Sequence, residues 1–100
     1  MTPAHHILPG VLADMIRRQP LSPAKVAFAW RAAAGAPVAR ETRVELRDDG
    51  LLLVFVADAR WRREIEPALG MLRPKLALLL GDAVRWIEVR DTEAPATRTP

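Results

Sequence analysis

The six residues from Leu51 to Val56, LLLVFV, are apolar at every position. A strand that alternates polar and apolar residues can stand at a sheet edge with one face in water. One that is apolar on both faces is normally central, with a neighbour on each side and a cover over each face. A chain containing LLLVFV must therefore supply at least two further strands and enough helix to roof them. Directly upstream, DDG at 48–50 offers turn residues with a glycine for a positive backbone angle. Before that the period is two: Val38, Arg40, Thr42, Val44 and Leu46 alternate with Ala39, Glu41, Arg43, Glu45 and Arg47. The spacing predicts a half-exposed strand from Val38 that pairs antiparallel with LLLVFV as a hairpin.

The remaining segments read as helices and one more strand. Leu8, Leu12, Met15 and Ile16 recur at helical spacing, which predicts a short helix from Pro9 to about Arg18. Ser22 can cap the next helix, Pro23 suits its first turn, and Gly35 is available as its terminator. Val26, Trp30 and Ala33 would line its buried stripe. After Asp58, a suitable N-cap, Trp61, Ile65, Ala68, Leu69, Leu72, Leu76 and Leu80 follow helical spacing up to Gly81. Pro67 and Pro74 interrupt that pattern, so two helices or one bent helix are expected, with the break near Gly70. Val84 to Arg90 is the third strand. Because helices join it to the second, these two should lie parallel through a right-handed crossover.

Composition narrows the class. With 100 residues, half of them apolar and 27% charged, the chain can build one core. The expected unit is a single domain over residues 1–91, with the polar, proline-containing 92–100 as a disordered tail dispensable for folding. There is no cysteine, so neither disulfides nor thiolate metal sites hold the fold, and a reducing cytoplasm is compatible. No apolar run approaches the roughly 18 residues of a membrane span, and no export segment is signalled. The formal charge is +3, and every cation except Lys25 and Lys75 is Arg, the residue better suited to bidentate phosphate contact. Enzyme chemistry lacks its usual parts: there is no tyrosine, and no phosphate-cradling glycine loop or carboxylate pair stands out. His5 and His6 have no further ligands at metal-binding spacing, so neither a metal nor a cofactor is expected.

The order of helices and strands is that of a type II KH domain: an α+β fold, α(α)-β-β-α-α-β, with a three-stranded mixed sheet and helices packed on it. The residues suggest something narrower. WRAAAGAPVARET at 30–42, DGLLLVFVADARWRREI at 49–65 and LRPKLALLLGDAVRWIEV at 72–89 resemble the DciA-like family of bacterial proteins. Trp30, Gly35, Thr42, Gly50, Trp61, Ile65 and Gly81 match its pattern in order and approximate spacing. The resemblance implies a KH-related cytoplasmic module that binds DNA and associates with the DnaB-type replicative helicase. One departure is visible. A KH domain holds nucleic-acid backbone with a GXXG loop between paired helices, whereas this chain has ALGMLRP there, with Gly70 alone.

Candidate contact residues follow from charge and phase. Arg60, Arg62 and Arg63 crowd a helix start, where the backbone dipole disfavours cations and anions are welcome. Arg60 and Arg62 each have a glutamate four residues on, Glu64 and Glu66. Arg63 has Pro67 there instead. Such a cluster is either a solvated face or a phosphate site. Arg43 and Arg47 share one face of the first strand, with Glu45 between them. Trp61 is in line with Ile65 and Leu72 and is expected to face the core, so Trp30, Gly35, Trp61 and Gly81 are read as structural anchors. Trp86 alternates away from Ile87 and Val89 onto the opposite side of the sheet. That side needs a cover, and the N-terminal helices are the expected one, with a protein partner as the alternative. Two functions remain: a DNA-binding module using arginine contacts of low sequence specificity to single or double strands, or a protein-interaction module of the same shape that contacts a helicase or a second copy through its apolar sheet face or its tail.

Overall fold

A computed structural model of the chain describes residues 10–92. Helices α1 (Gly10–Arg18), α2 (Pro23–Ala34) and α3 (Ala36–Arg40) lead into strands β1 (Thr42–Leu46) and β2 (Leu51–Val56). Helices α4 (Ala59–Ile65) and α5 (Leu69–Leu80) then cross over to β3 (Trp86–Asp91). The sheet order is β1-β2-β3, with β1 antiparallel and β3 parallel to β2. The doubly apolar strand is thus central. No helix among the described residues is long and apolar enough to cross a membrane. His5, His6 and residues 93–100, with the tail expected there, lie outside the described residues.

The local signals act as their chemistry dictates. Ser22 Oγ accepts the Lys25 backbone N–H at 3.1 Å at the start of α2, and Asp58 Oδ1 accepts that of Trp61 at 3.1 Å at the start of α4. Gly35 and Gly50 hold φ near +95°, at 96° and 94°. Gly50 is constrained twice over, because a Cβ there would sit 2.6 Å from Cγ and Cδ of Arg85. Its carbonyl receives both the Arg85 and Trp86 N–H groups and so sets the entry to β3. Thr92, the first residue of the expected tail, extends the ladder by donating its N–H to Val56 O at 2.9 Å.

Three expectations are corrected. Residues 36–40 are helical, so the first strand starts at Thr42 rather than Val38. Alternation at 38–41 satisfies either period over so short a run, and Pro37 in a first helical turn after Gly35 decides for helix. The break between the paired helices lies at a 3₁₀ turn, Glu66–Ala68, rather than near Gly70. Pro67 tightens the chain there, whereas Gly70 continues into α5 and Pro74 is tolerated within that helix. The third correction concerns the cover of the sheet.

One face of the sheet carries the core. Leu52, Val54 and Val56 have no exposed surface and pack with Val89, Ile87, Val44 and Leu46 against Val26, Trp30, Ile65, Leu72, Leu76 and Leu79. Trp30, 2% exposed, donates its indole N–H to Thr42 Oγ1 at 2.8 Å, and that hydroxyl donates onward to Val38 O at 2.8 Å. Helices and strands are therefore joined by a relay of part-buried polar groups as well as by packing. The other face has no helical roof among the described residues: Trp86 is 53% exposed, and Leu53, although buried, is no part of the helix-packed cluster. The expected cover by the N-terminal helices is not there, because α1 packs against α5 and α2 against α5 and β1.

Candidate nucleic-acid interface

Register defines the unroofed face as three rows. Arg43, Phe55 and Arg90 lie side by side across the sheet, and Glu45, Leu53 and Glu88 form the next row. Arg47, Leu51 and Trp86 form the third, since Arg47 N donates to Leu51 O just beyond β1 and Leu51 pairs with Trp86. The guanidinium of Arg43 lies over the Phe55 ring, 4.6 Å from its centroid, and that of Arg85 over Trp86 at 5.3 Å. Arg90 donates to Glu88 at 2.8 Å, which draws that carboxylate's pKa below its usual range. Four arginines thus stand against two glutamates around two aromatic rings, a distribution suited to a polyanion that also has flat groups to stack.

The α4 cluster separates into two kinds of arginine. Arg62 turns to β3: it donates to Val89 O at 3.0 Å, to Asp91 at 3.0 Å and to Glu66 at 3.1 Å. Hydrogen bonding to Asp91, foremost, raises its pKa above the ordinary arginine value and holds its charge. Arg60 and Arg63 are exposed and form no ion pair among the described residues, so the Arg60 to Glu64 spacing is not used while that of Arg62 to Glu66 is. Trp61 is half-buried against the core, with the Arg60 guanidinium 5.3 Å from its ring centroid. It anchors α4 less deeply than the sequence suggests.

Arg43 belongs to the row nearest the α4 start, because its neighbour Phe55 precedes the Asp58 cap by one short link. Arg47 and Trp86 occupy the far end of the face. Residues 60, 62 and 63 therefore do not act as one patch, and Arg43 and Arg47 sit at opposite ends of another. Sequence reasoning missed Phe55, Arg85 and Arg90. Their signals were present: Arg90 shares the phase of Trp86 along β3, Phe55 is opposite Arg43 in the hairpin, and Arg85 adjoins Trp86.

Trp30 and Thr42, twelve residues apart, are hydrogen-bonded around the turn that Gly35 permits, and Gly81 ends α5 with φ 62°. Between the paired helices the chain has a proline-containing 3₁₀ turn rather than a glycine loop. No curated protein and no solved structure matches this chain. The family model described as Dna[CI] antecedent, DciA, matches residues 3–89. That match spans most of the chain, and the chain accordingly belongs to the DciA family.

Proposed function

We propose that this protein is a non-catalytic accessory factor of the replicative helicase that holds DNA backbone with low sequence specificity. Membership in the DciA family supplies the helicase-associated role in replication. The observation that carries the DNA reading is the unroofed sheet face, where Arg43 and Arg85 overlie Phe55 and Trp86. Trp86 is exposed on this face and Phe55 lies half-buried under Arg43, so aromatic and cationic groups meet on a surface that no helix covers among the described residues. The charge around those rings is net positive, and guanidinium groups on aromatic planes suit phosphates and bases together. Arg60 and Arg63 are further exposed cations on α4, whereas Arg62 is taken up by its contacts to β3. A DNA-holding face built this way positions a strand and does not read its sequence.

Fluorescence anisotropy with labelled single- and double-stranded oligonucleotides across a salt series tests this. Each phosphate contact contributes about 0.7 to the salt slope for single strands and about 0.9 for duplex. Arg43→Gln with Arg85→Gln should reduce the slope by about one to two units, as should Arg60→Gln with Arg63→Gln. Different sequences should weaken alike. Salt-insensitive binding by the parent, or variants that bind like the parent, would sink the DNA reading. The protein-interaction reading would then stand, on the exposed apolar side chains Val11, Met15, Met71 and Leu78 of α1 and α5.

A further inference from the structure

The outer side of β1 is a strand edge. The bond from Arg47 N to Leu51 O sets the alternation along the hairpin, so Arg43 and Glu45 turn their backbone groups to β2, while Thr42, Val44 and Leu46 turn theirs outward. Among the described residues the amides of Val44 and Leu46 find no acceptor there. Beside them, between the start of α2 and β1, runs a groove of about 440 Å³ walled by Leu21, Pro23, Val26, Val44 and Leu46. An exposed edge is a template for another strand, and the sequence of β1 determines which strand it accepts. ETRVELR, residues 41–47, is its own complement in charge when laid antiparallel on itself. Glu41 then meets Arg47, Thr42 meets Leu46, Arg43 meets Glu45, and Val44 meets Val44.

We infer that the β1 edge pairs with the β1 edge of a second copy of this chain, antiparallel about a two-fold axis at Val44, joining two three-stranded sheets into one. In that register Val44 exchanges N–H to O=C bonds with the partner's Val44, and Thr42 with the partner's Leu46, because these are the residues whose backbone faces outward. Arg43 stands opposite the partner's Glu45, and Glu45 opposite the partner's Arg43, in two cross-strand ion pairs. The neighbouring registers that keep the same hydrogen-bond phase are disfavoured: one sets Arg43 against the partner's Arg43, the other Glu45 against the partner's Glu45. Charge thus selects a single register. The groove suits the same arrangement, since the two-fold passes through Val44 in its wall and each groove adjoins its apolar counterpart. Pairing β1 with the β3 edge of another copy would be head-to-tail and would not close into a dimer. At that edge the carbonyls of Arg85 and Val89 already accept from Arg73 and Arg62, and Glu88 holds Arg90. The inference does not rest on the DNA reading. Arg43 lies on the bare face in either case, so the test contains no DNA and alters Glu45 as well.

Two five-residue strands make a small interface of the weak class. Sedimentation velocity and amide hydrogen exchange of the full chain are therefore followed at low salt from about 0.01 to 1 mM protein. The parent should pass from monomer to dimer in that range, with exchange at Val44 and Leu46 slowing about tenfold or more while Arg43 and Glu45 stay protected throughout. Arg43→Glu and Glu45→Arg, both at exposed positions, should keep the circular dichroism of the parent and remain monomeric when alone, since each sets like charges opposite one another. Mixed in equal amounts, the two variants should form a heterodimer, because each supplies the charge the other lacks. The inference is overturned by a parent that stays monomeric at about 1 mM, which would leave the edge to a strand of other sequence. It is equally overturned by a parent dimer that neither substitution weakens, by a mixture that stays monomeric, or by assembly beyond a dimer. Should either variant fail to fold, exchange in the parent decides: a dimer whose Val44 and Leu46 amides exchange as fast as in the monomer overturns the inference.

Discussion

The relay from Trp30 to Thr42 to Val38 makes a quantitative prediction, because its members are coupled. Thr42→Val keeps the side-chain shape but removes the acceptor for the Trp30 indole, a group on a side chain that is 2% exposed. An unsatisfied buried donor costs about 1 to 3 kcal/mol. The Val38 carbonyl is not orphaned, since it still accepts the Glu41 N–H at 3.0 Å. Trp30→Phe loses the same bond together with part of a ring, at about 1 to 2 kcal/mol for the packing alone. In that background the donor is gone, so adding Thr42→Val should cost only about 0.5 kcal/mol. The double-mutant cycle should therefore return a coupling of about 1 to 2 kcal/mol, a sizeable share of the roughly 5 to 15 kcal/mol that holds such a domain. Urea unfolding followed by far-ultraviolet circular dichroism measures it without relying on the substituted tryptophan. Costs that add to within about 0.3 kcal/mol would refute the relay and leave Trp30 as packing alone.

Trp61 and Trp30 should differ in the same assay: Trp30→Ala should cost about 3 to 5 kcal/mol, and half-buried Trp61→Ala roughly half of that. Equal losses would mean that α4 is held more tightly than its exposure indicates. Gly50→Ala should destabilise by about 2 kcal/mol or more, because a positive φ and a clash with Arg85 coincide there. Gly70→Ala, with nothing within 4 Å and a helical backbone, should stabilise by about 0.5 to 1 kcal/mol; thermal melts of the two variants should move in opposite directions. Replacing Arg60 and Arg63 by Gln should leave the melting temperature nearly unchanged, since neither forms an ion pair among the described residues and the α4 dipole, which opposes Arg60 at the helix start, favours Arg63 in the last turn. A clear fall in melting temperature would show that they are structural like Arg62.

What the sequence alone determined are the features enforced over a few residues. A strand apolar on both faces had to be central, DDG had to turn, Ser22 and Asp58 had to cap, and the helical spacing from Trp61 to Leu80 had to end at Gly81. Each rests on steric and hydrogen-bonding rules that act within about one helical turn, so no distant partner was needed to read it. Tertiary structure decided which of two locally equal options won. Residues 38–41 fit both a helix and a strand until Pro37 and the packing of α2 chose helix, and the paired helices broke at Pro67 because Gly70 could continue into α5. The contacts of the arginines were decided in the same way. Arg60, Arg62 and Arg63 look alike in sequence, yet only Arg62 is within reach of Val89 and Asp91, whose approach depends on the crossover that sets β3 parallel to β2. The bare sheet face was equally hidden, because whether Trp86 is roofed depends on where α1 and α2 dock, and both found their apolar partners on the other side.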